Sequence, residues 1–272
     1  MIRHLTPWTL LMSALTLLTT LTGCSTTPER LPQEPPPDTP HLKVMTYNLN
    51  YGLVGDPSTL EAIGAEDADI ICLQETTPPW EELIRARYQD RYPHIAFQTE
   101  RGAGGLGILS KVPLSEDARI EGRRGWFPAW RVTADTTLGP VQLLLVHLRP
   151  PMSDDGSMVK GYLQADSIHL DEITAFAEAL DPERPTIVLG DFNEEPDGAA
   201  IAWLEARGYT NALPAYQPGA NTWRWSTSLI DLSGTLDHVV YSRALQPLDA
   251  RVVSVGRSDH LPVVVTLVRA EP

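Results

Sequence analysis

Ile187-Val188-Leu189-Gly190-Asp191-Phe192-Asn193 decides the reading of this chain. Four small or apolar residues read as a buried strand, and an acid and an amide follow at its end, one residue apart. Side chains alternate along a strand, so positions 191 and 193 are expected on the same side. A carboxylate beside a carboxamide at a strand's C-terminal edge can hold a water and a phosphate oxygen. Asp and Asn also end strands simply by making turns, so the stretch needs companions.

Several other apolar runs end in polar groups. Leu42 to Asn48 alternates and ends in an amide, Ala68 to Glu75 ends in a carboxylate, and Val141 to His147 ends in an imidazole. Leu236-Asp237-His238 opens another run, and Ser258-Asp259-His260 stands just before the last one. Strands that each deliver one or two polar groups near an end are how α/β sandwiches build a site at a sheet edge. His238, next to Asp237, is read as structural.

Hydrolysis of a phosphate ester needs an activated water, charge stabilisation on the phosphoryl oxygens and a proton for the leaving oxygen. A hard divalent ion on carboxylates meets the second need and helps with the first. Glu75 is the first choice of metal ligand, with Asn48 beside it orienting ligand or phosphate. Oxygen donors suit Mg²⁺, with Mn²⁺ as a substitute. Zinc is not expected, because Cys72 is the sole cysteine outside the leader and no His-x-x-x-His spacing occurs.

In order, Thr46-Tyr47-Asn48, Leu73-Gln74-Glu75, Gly107 to Pro113, Val146-His147-Leu148, Gly190 to Asn193, Leu236-Asp237-His238 and Ser258-Asp259-His260 resemble the endonuclease/exonuclease/phosphatase superfamily. That group includes DNase I-like nucleases, sphingomyelinases and inositol polyphosphate phosphatases. The resemblance covers about residues 42 to 268. It implies a DNase I-like four-layer α/β sandwich of two packed, mostly antiparallel sheets flanked by helices, and a metal-dependent phosphoesterase. It implies metal ligation by Asn48 and Glu75 and adds Asp259. His260 would contact the scissile phosphate or act as base, with Asp237 fixing its tautomer. Asp191 would align or deprotonate the water, Asn193 would bind a non-bridging oxygen, and His147 would contact phosphate or protonate the leaving group. Which imidazole is acid and which is base stays open. Abasic-site nucleases of the group usually carry Tyr and Asn where this chain has Val146-His147-Leu148, so the His resembles the DNase I, sphingomyelinase and phosphatase branches.

Residues 1–23 read as a signal peptide: a short positive start, an apolar Leu/Thr/Ala stretch, then Leu21-Thr22-Gly23-Cys24, which resembles a lipoprotein cleavage box. Lipidation at Cys24 would tether the protein to the cell envelope, at the outer membrane or the periplasmic face of a membrane. The alternative is a transmembrane anchor, against which Pro7 and the many threonines count. Residues 24–40 hold six prolines between Pro28 and Pro40 and read as an extended spacer. Residues 41–272 fit one domain, expected as a monomer. Cys72, between Ile71 and Leu73, reads as a buried apolar residue.

Formal net charge is −14. A non-specific nucleic-acid binder gains affinity by neutralising phosphates with Lys and Arg, so tight binding of that kind is not expected. The nearest basic cluster is Arg119, Arg123, Arg124 and Arg131 among Trp126, Phe127 and Trp130. It reads either as a packed hairpin or as a substrate-facing rim. Val159 to Leu180 has helical apolar spacing, with Asp171 and Glu172 expected on the solvated face. Residues 149–156 and the stretch around Trp223-Arg224-Trp225 read as loops beside the site. The substrate class stays open between a general phosphoester, DNA or RNA, and a phospholipid head group attacked as by a phospholipase C or sphingomyelinase. A catalytically silent ligand-binding domain is the alternative from another class.

Overall fold

The computed structural model describes residues 27–226 and 231–271, so the leader and Cys24 lie outside the described residues. Two six-stranded sheets form the domain. The first runs in the order β13 (Leu245–Val252), β14 (Val263–Arg269), β1 (Leu42–Asn48), β2 (Ile70–Gln74), β4 (Leu106–Ser110), β3 (His94–Gln98). The second runs β5 (Leu114–Ile120), β6 (Ala129–Thr136), β7 (Gly139–His147), β8 (Thr186–Asp191), β12 (Asp237–Ser242), β9 (Tyr209–Asn211). Each sheet has one parallel pair near its centre, β1–β2 and β7–β8, and its other pairs are antiparallel.

The parallel pairs explain the helices, because a parallel neighbour can be reached only by a crossover. α1 (Pro57–Gly64) connects β1 to β2, and α3 (Met158–Ala177) connects β7 to β8. α2 (Pro78–Tyr88) joins α1 outside the first sheet, and α4 (Ala199–Glu205) joins α3 outside the second. Local chemistry starts them: Asp56 and Thr77 cap α1 and α2 ahead of a proline, and Ser157 caps α3. The short α5 (Leu213–Tyr216) follows β9.

Both faces of each sheet are covered, which is why the central strands read as apolar runs rather than as alternation with polar residues. Val44, Ile70, Cys72 and Ile108 meet Leu143, Leu145, Ile187, Leu189 and Val239 in the core between the sheets. Alternate residues face outward: Met45, Ile71 and Leu73 pack on Trp80 and Ile84 of α2. Leu144, Val146, Val188 and Val240 pack on Ile173, Phe176, Ile201 and Leu204 of α3 and α4. The expected four-layer sandwich is the observed one. Cys72 is buried with a free thiol, as expected.

Two expectations are corrected. Glu172 is buried, not solvated: its Oε2 accepts the Arg149 N–H at 3.1 Å, and its other oxygen abuts Gly125. The helix turns that edge toward the segment that follows His147, so the solvated face begins at Asp171, which pairs with Arg124. The stretch at Trp223 is not a loop but a strand, β10 (Trp223–Ser226), paired antiparallel with β11 (Asp231–Gly234). Residues 27–40 carry no helix or strand, yet they touch the domain through Arg30 N to Ala215 O and Gln33 N to Leu248 O, each 2.9 Å.

Candidate active site

Strand register assembles the site. In the second sheet His147 and Asp237 both stand opposite Asp191, one across the parallel ladder and one across the antiparallel one. Three adjacent strand ends therefore present an imidazole and two carboxylates in a row. In the first sheet β1 ends in Asn48, opposite Gln74, and Glu75 follows β2. The two sheets meet at this end: the Asn48 Nδ2 donates to Glu75 Oε1 at 3.1 Å and to Asp191 Oδ2 at 3.0 Å. One carboxamide thus bridges a carboxylate of each sheet.

Asp191 Oδ2 is the focus. It also lies 3.5 Å from His147 Nε2 and 3.6 Å from His260 Nε2. Each imidazole is oriented from its far side, His147 Nδ1 by the Ala103 carbonyl at 3.1 Å and His260 Nδ1 by Asp237 Oδ2 at 2.9 Å. Phe127 stacks on the His147 ring at 4.4 Å between centroids. Asp237 is wholly buried, and its Oδ1 has no hydrogen-bond partner. Burial pushes its carboxyl up, to about 6, against the pull of His260. Burial works against the His260 imidazolium as well, but the carboxylates of Asp237, Asp191 and Asp259 outweigh it and carry the ring up to about 10. The surrounding carboxylates thus favour the charged form of His260.

The opposite wall holds Asp259, which accepts from Asn50 Nδ2 at 2.9 Å and from Trp223 Nε1 at 3.3 Å. Glu75 Oε2 accepts the Tyr51 N–H at 2.9 Å. The root of β10 is stitched to this loop by Arg224 N to Asp259 O and Leu261 N to Thr222 O. A cavity of about 640 Å³ opens over these groups, lined by Glu75, His147, Asp191, Asn193, Asp259 and His260 among others.

All eight residues singled out in the sequence converge here, but one arrives by a different route. β8 ends at Asp191, and Asn193 has left the strand in a left-handed conformation (φ 51°), so alternation does not place it. Its backbone N–H instead donates to Asp191 Oδ1 at 2.9 Å, and its Nδ2 donates to the Leu148 carbonyl at 2.9 Å. Asn50 (φ 58°) and Glu75 (φ 59°) adopt the same region. For a Glu that conformation costs on the order of 1 kcal/mol or more, held by surrounding contacts. His238 is structural as expected, taken up by Asn211 and the Glu194 carbonyl. The arginine cluster is a hairpin: β5 pairs with β6, and Arg119, Arg123, Arg124 and Arg131 each face an acid, namely Glu100 and Glu121, Glu178, Asp171, and Asp117.

Sequence reasoning missed Asn50, Thr222 and Ser258. Asn50 was two residues from a recognised motif, so its type was a usable signal. Thr222 Oγ1 accepts the Leu236 and Asp237 N–H groups, each at 2.9 Å, and Ser258 Oγ donates to the Asn48 carbonyl at 2.8 Å. Thr222 is a long-range partner with no local signature, and Ser258 stands in a recognised motif that does not reveal its bond to Asn48. Phe127 was seen, but not its stacking on His147.

A sequence model of the endonuclease/exonuclease/phosphatase family matches residues 45–260. The chain belongs to this family. No curated protein matches the sequence. Solved structures share the fold: a functionally unknown conserved protein from Enterococcus faecalis is 17% identical with a TM-score of 0.64, covering 84% of this chain and 100% of its own. An AP endonuclease from Archaeoglobus fulgidus is 16% identical at TM-score 0.61, covering 82% and 98%. The human Nocturnin catalytic domain, solved with a bound sulfate anion, is 19% identical at 0.61, covering 85% and 94%. As a member of the endonuclease/exonuclease/phosphatase family, the chain is a hydrolase of phosphate esters, from a family whose enzymes are typically divalent-metal dependent.

Proposed function

We propose that this protein hydrolyses a phosphodiester or phosphomonoester at the cell envelope by in-line attack of water, with a divalent ion held by Glu75 and Asp259. The observation that carries the reading is the position of Asp191 Oδ2, shared by two imidazoles and the Asn48 amide at the floor of an open cavity.

The donor set fits the ion. Seven carboxylates and three imidazoles line the cavity, and no lysine or arginine among the described residues does. Carboxylate oxygens in a cavity without lysine or arginine suit a hard cation such as Mg²⁺ or Mn²⁺. Asp191, Asp237 and His260 also bring one ligand atom each within 4.8 Å of one another. We prefer Glu75 and Asp259, because Asp237 Oδ2 and His260 Nδ1 are already bonded to each other in a buried position. Asn48 orients Glu75 through its Nδ2 while its Oδ1 accepts the Asn50 N–H at 3.0 Å. When bound, the ion supplies Lewis-acid stabilisation of the phosphoryl charge.

The protein's own groups do the rest. Asp191 orients the attacking water and takes its proton as the new O–P bond forms. His260, kept charged by Asp237, donates its Nε2–H to a non-bridging oxygen. His147, with Nδ1 committed to the Ala103 carbonyl, presents Nε2 and in its imidazolium form gives the leaving oxygen a proton. Asn193 is held at the same mouth to contact phosphate. The leader motif ending in Cys24 supports an envelope location by lipid anchoring.

The test is turnover with Mg²⁺, Mn²⁺ or EDTA on bis-p-nitrophenyl phosphate, p-nitrophenyl phosphate, plasmid DNA, RNA and phospholipid vesicles. Metal-dependent turnover of one class is expected, falling by about 10³-fold or more in Asp191→Asn. Near-normal turnover in that variant would overturn the role of Asp191 and with it the proton path. Loss of membrane partitioning in Cys24→Ala would support the anchor.

A further inference from the structure

Apolar side chains crowd the mouth of the catalytic cavity. Met158, Val159, Tyr162 and Leu163 form one stripe on the first two turns of α3, and Trp225 and Leu232 stand on the β10–β11 hairpin. These six are 41% to 79% exposed. Met158, Tyr162, Trp225 and Leu232 also line the cavity that holds Asp191 and His260. Folding does not require the stripe, because α3 packs on the sheet through Ile168, Ile173 and Phe176 further along. Large apolar groups gathered on a surface, rather than scattered singly, mark a place where something binds.

We propose that this rim seats on a neutral or zwitterionic lipid surface, and that the site takes its phosphate ester from an amphiphile in that surface. The substrate half rests on the phosphoesterase reading; the docking half does not. Three observations select a lipid surface. Four of the six rim residues line the cavity, so a protein seated on them would cover the site, whereas a lipid surface covers the rim and also supplies substrate. Its aromatic members, Trp225 and Tyr162, are amphipathic rings of the kind that settle at a water–membrane boundary. The lining is acidic, with Asp166, Glu195 and Asp197 beside the rim, and it has no lysine or arginine among the described residues. Two nearby cations are paired with acids, Lys160 with Asp155 and Arg124 with Asp171. Such charge repels a polyanion and an anionic membrane, and accepts a head group with no net charge or with a cationic end. Hydrolysis there follows the same in-line step: water's oxygen joins phosphorus, the bond to the leaving alcohol breaks, and that oxygen takes a proton.

The experiment uses the full chain with Mg²⁺ and phosphatidylcholine vesicles brominated on their acyl chains. Tryptophan fluorescence should be quenched, and Trp225→Phe, which keeps the rim apolar, should remove most of that quenching. Val159→Ser/Leu163→Ser changes two exposed residues that do not line the cavity. It should lower both the quenching and the vesicle hydrolysis rate by about tenfold while bis-p-nitrophenyl phosphate turnover stays at wild type. A lipid anchor at Cys24 would be shared by all these proteins and cannot produce a difference between them. Equal quenching in wild type and Val159→Ser/Leu163→Ser would overturn the proposal. So would a vesicle-free dimer that this variant abolishes, which would assign the face to a second copy. Normal quenching with no turnover of any phosphate ester would instead sink the catalytic reading and the substrate half, leaving the docking surface standing.

Discussion

Glu172 offers a test of this structure that needs no substrate. It is completely buried on α3, its Oε2 accepts the Arg149 N–H, and its Oε1 has no partner. Burial pushes its carboxyl from 4.5 up to about 7, against the Arg149 N–H and the nearby His169 and Arg149 charges. The folded protein therefore holds a proton that the unfolded chain releases between those two values. More protons bound by the native state means that stability falls as pH rises. At about 1.4 kcal/mol per pKa unit, ionising Glu172 costs the fold on the order of 3 kcal/mol. The loss begins as pH passes 4.5 and is complete only above about 7. Glu172→Gln removes the ionisation, and its carbonyl can still accept the Arg149 N–H. Urea unfolding of both proteins at a series of pH values from about 4.5 to 8.5 should give curves that diverge, the variant gaining about 3 kcal/mol on the wild type across the range. Groups common to both proteins cancel in the difference. Parallel curves would refute the reasoning, and would mean that Glu172 reaches water or a partner that the structure does not give it.

Three further outcomes are expected. A Cβ on Gly190 would lie 1.9 Å from the Val146 carbonyl oxygen, on a backbone with φ 149°. Gly190→Ala should therefore push β8 from β7 beside His147 and Asp191, lowering the thermal midpoint by several degrees and removing most activity; an unchanged melting curve would contradict the register. Glu75→Gln should raise the metal concentration for half-activity more than it lowers the rate at saturating metal, and the reverse pattern in a Mg²⁺ titration would displace Glu75 from ligation. Phe127→Ala removes the ring stacked on His147 and should cut turnover by about threefold to tenfold with fold stability nearly kept, whereas turnover equal to wild type would make Phe127 mere packing.

Local sequence was enough for the strands and for the identity of the polar groups, and the family resemblance carried the sandwich. Apolar runs 5 to 9 residues long, such as Ile70–Gln74 and Gly139–His147, fit strands covered on both faces, and the polar groups that end them stand at strand ends. Asn48, Glu75, His147, Asp191, Asp237, Asp259 and His260 were visible because each lies at or beside the end of such a run. Register was not visible. Only the pairing of β8 with both β7 and β12 sets His147 and Asp237 opposite Asp191, and pairing is a property of strands distant in the chain. Backbone twist was hidden too, since alternation cannot foresee a left-handed Asn193 or Glu75. Glu172 was misjudged for the same reason: its type and helical position favour solvent, and a backbone N–H 23 residues earlier brings it inside. Composition gave an acidic chain with few cations. The tertiary structure decided where that charge would matter, by pairing several arginines with surface acids and gathering seven other carboxylates at one cavity with an apolar rim. The sequence carries the residue types and their periodicity; the distances at which their charges act exist only once the two sheets have packed.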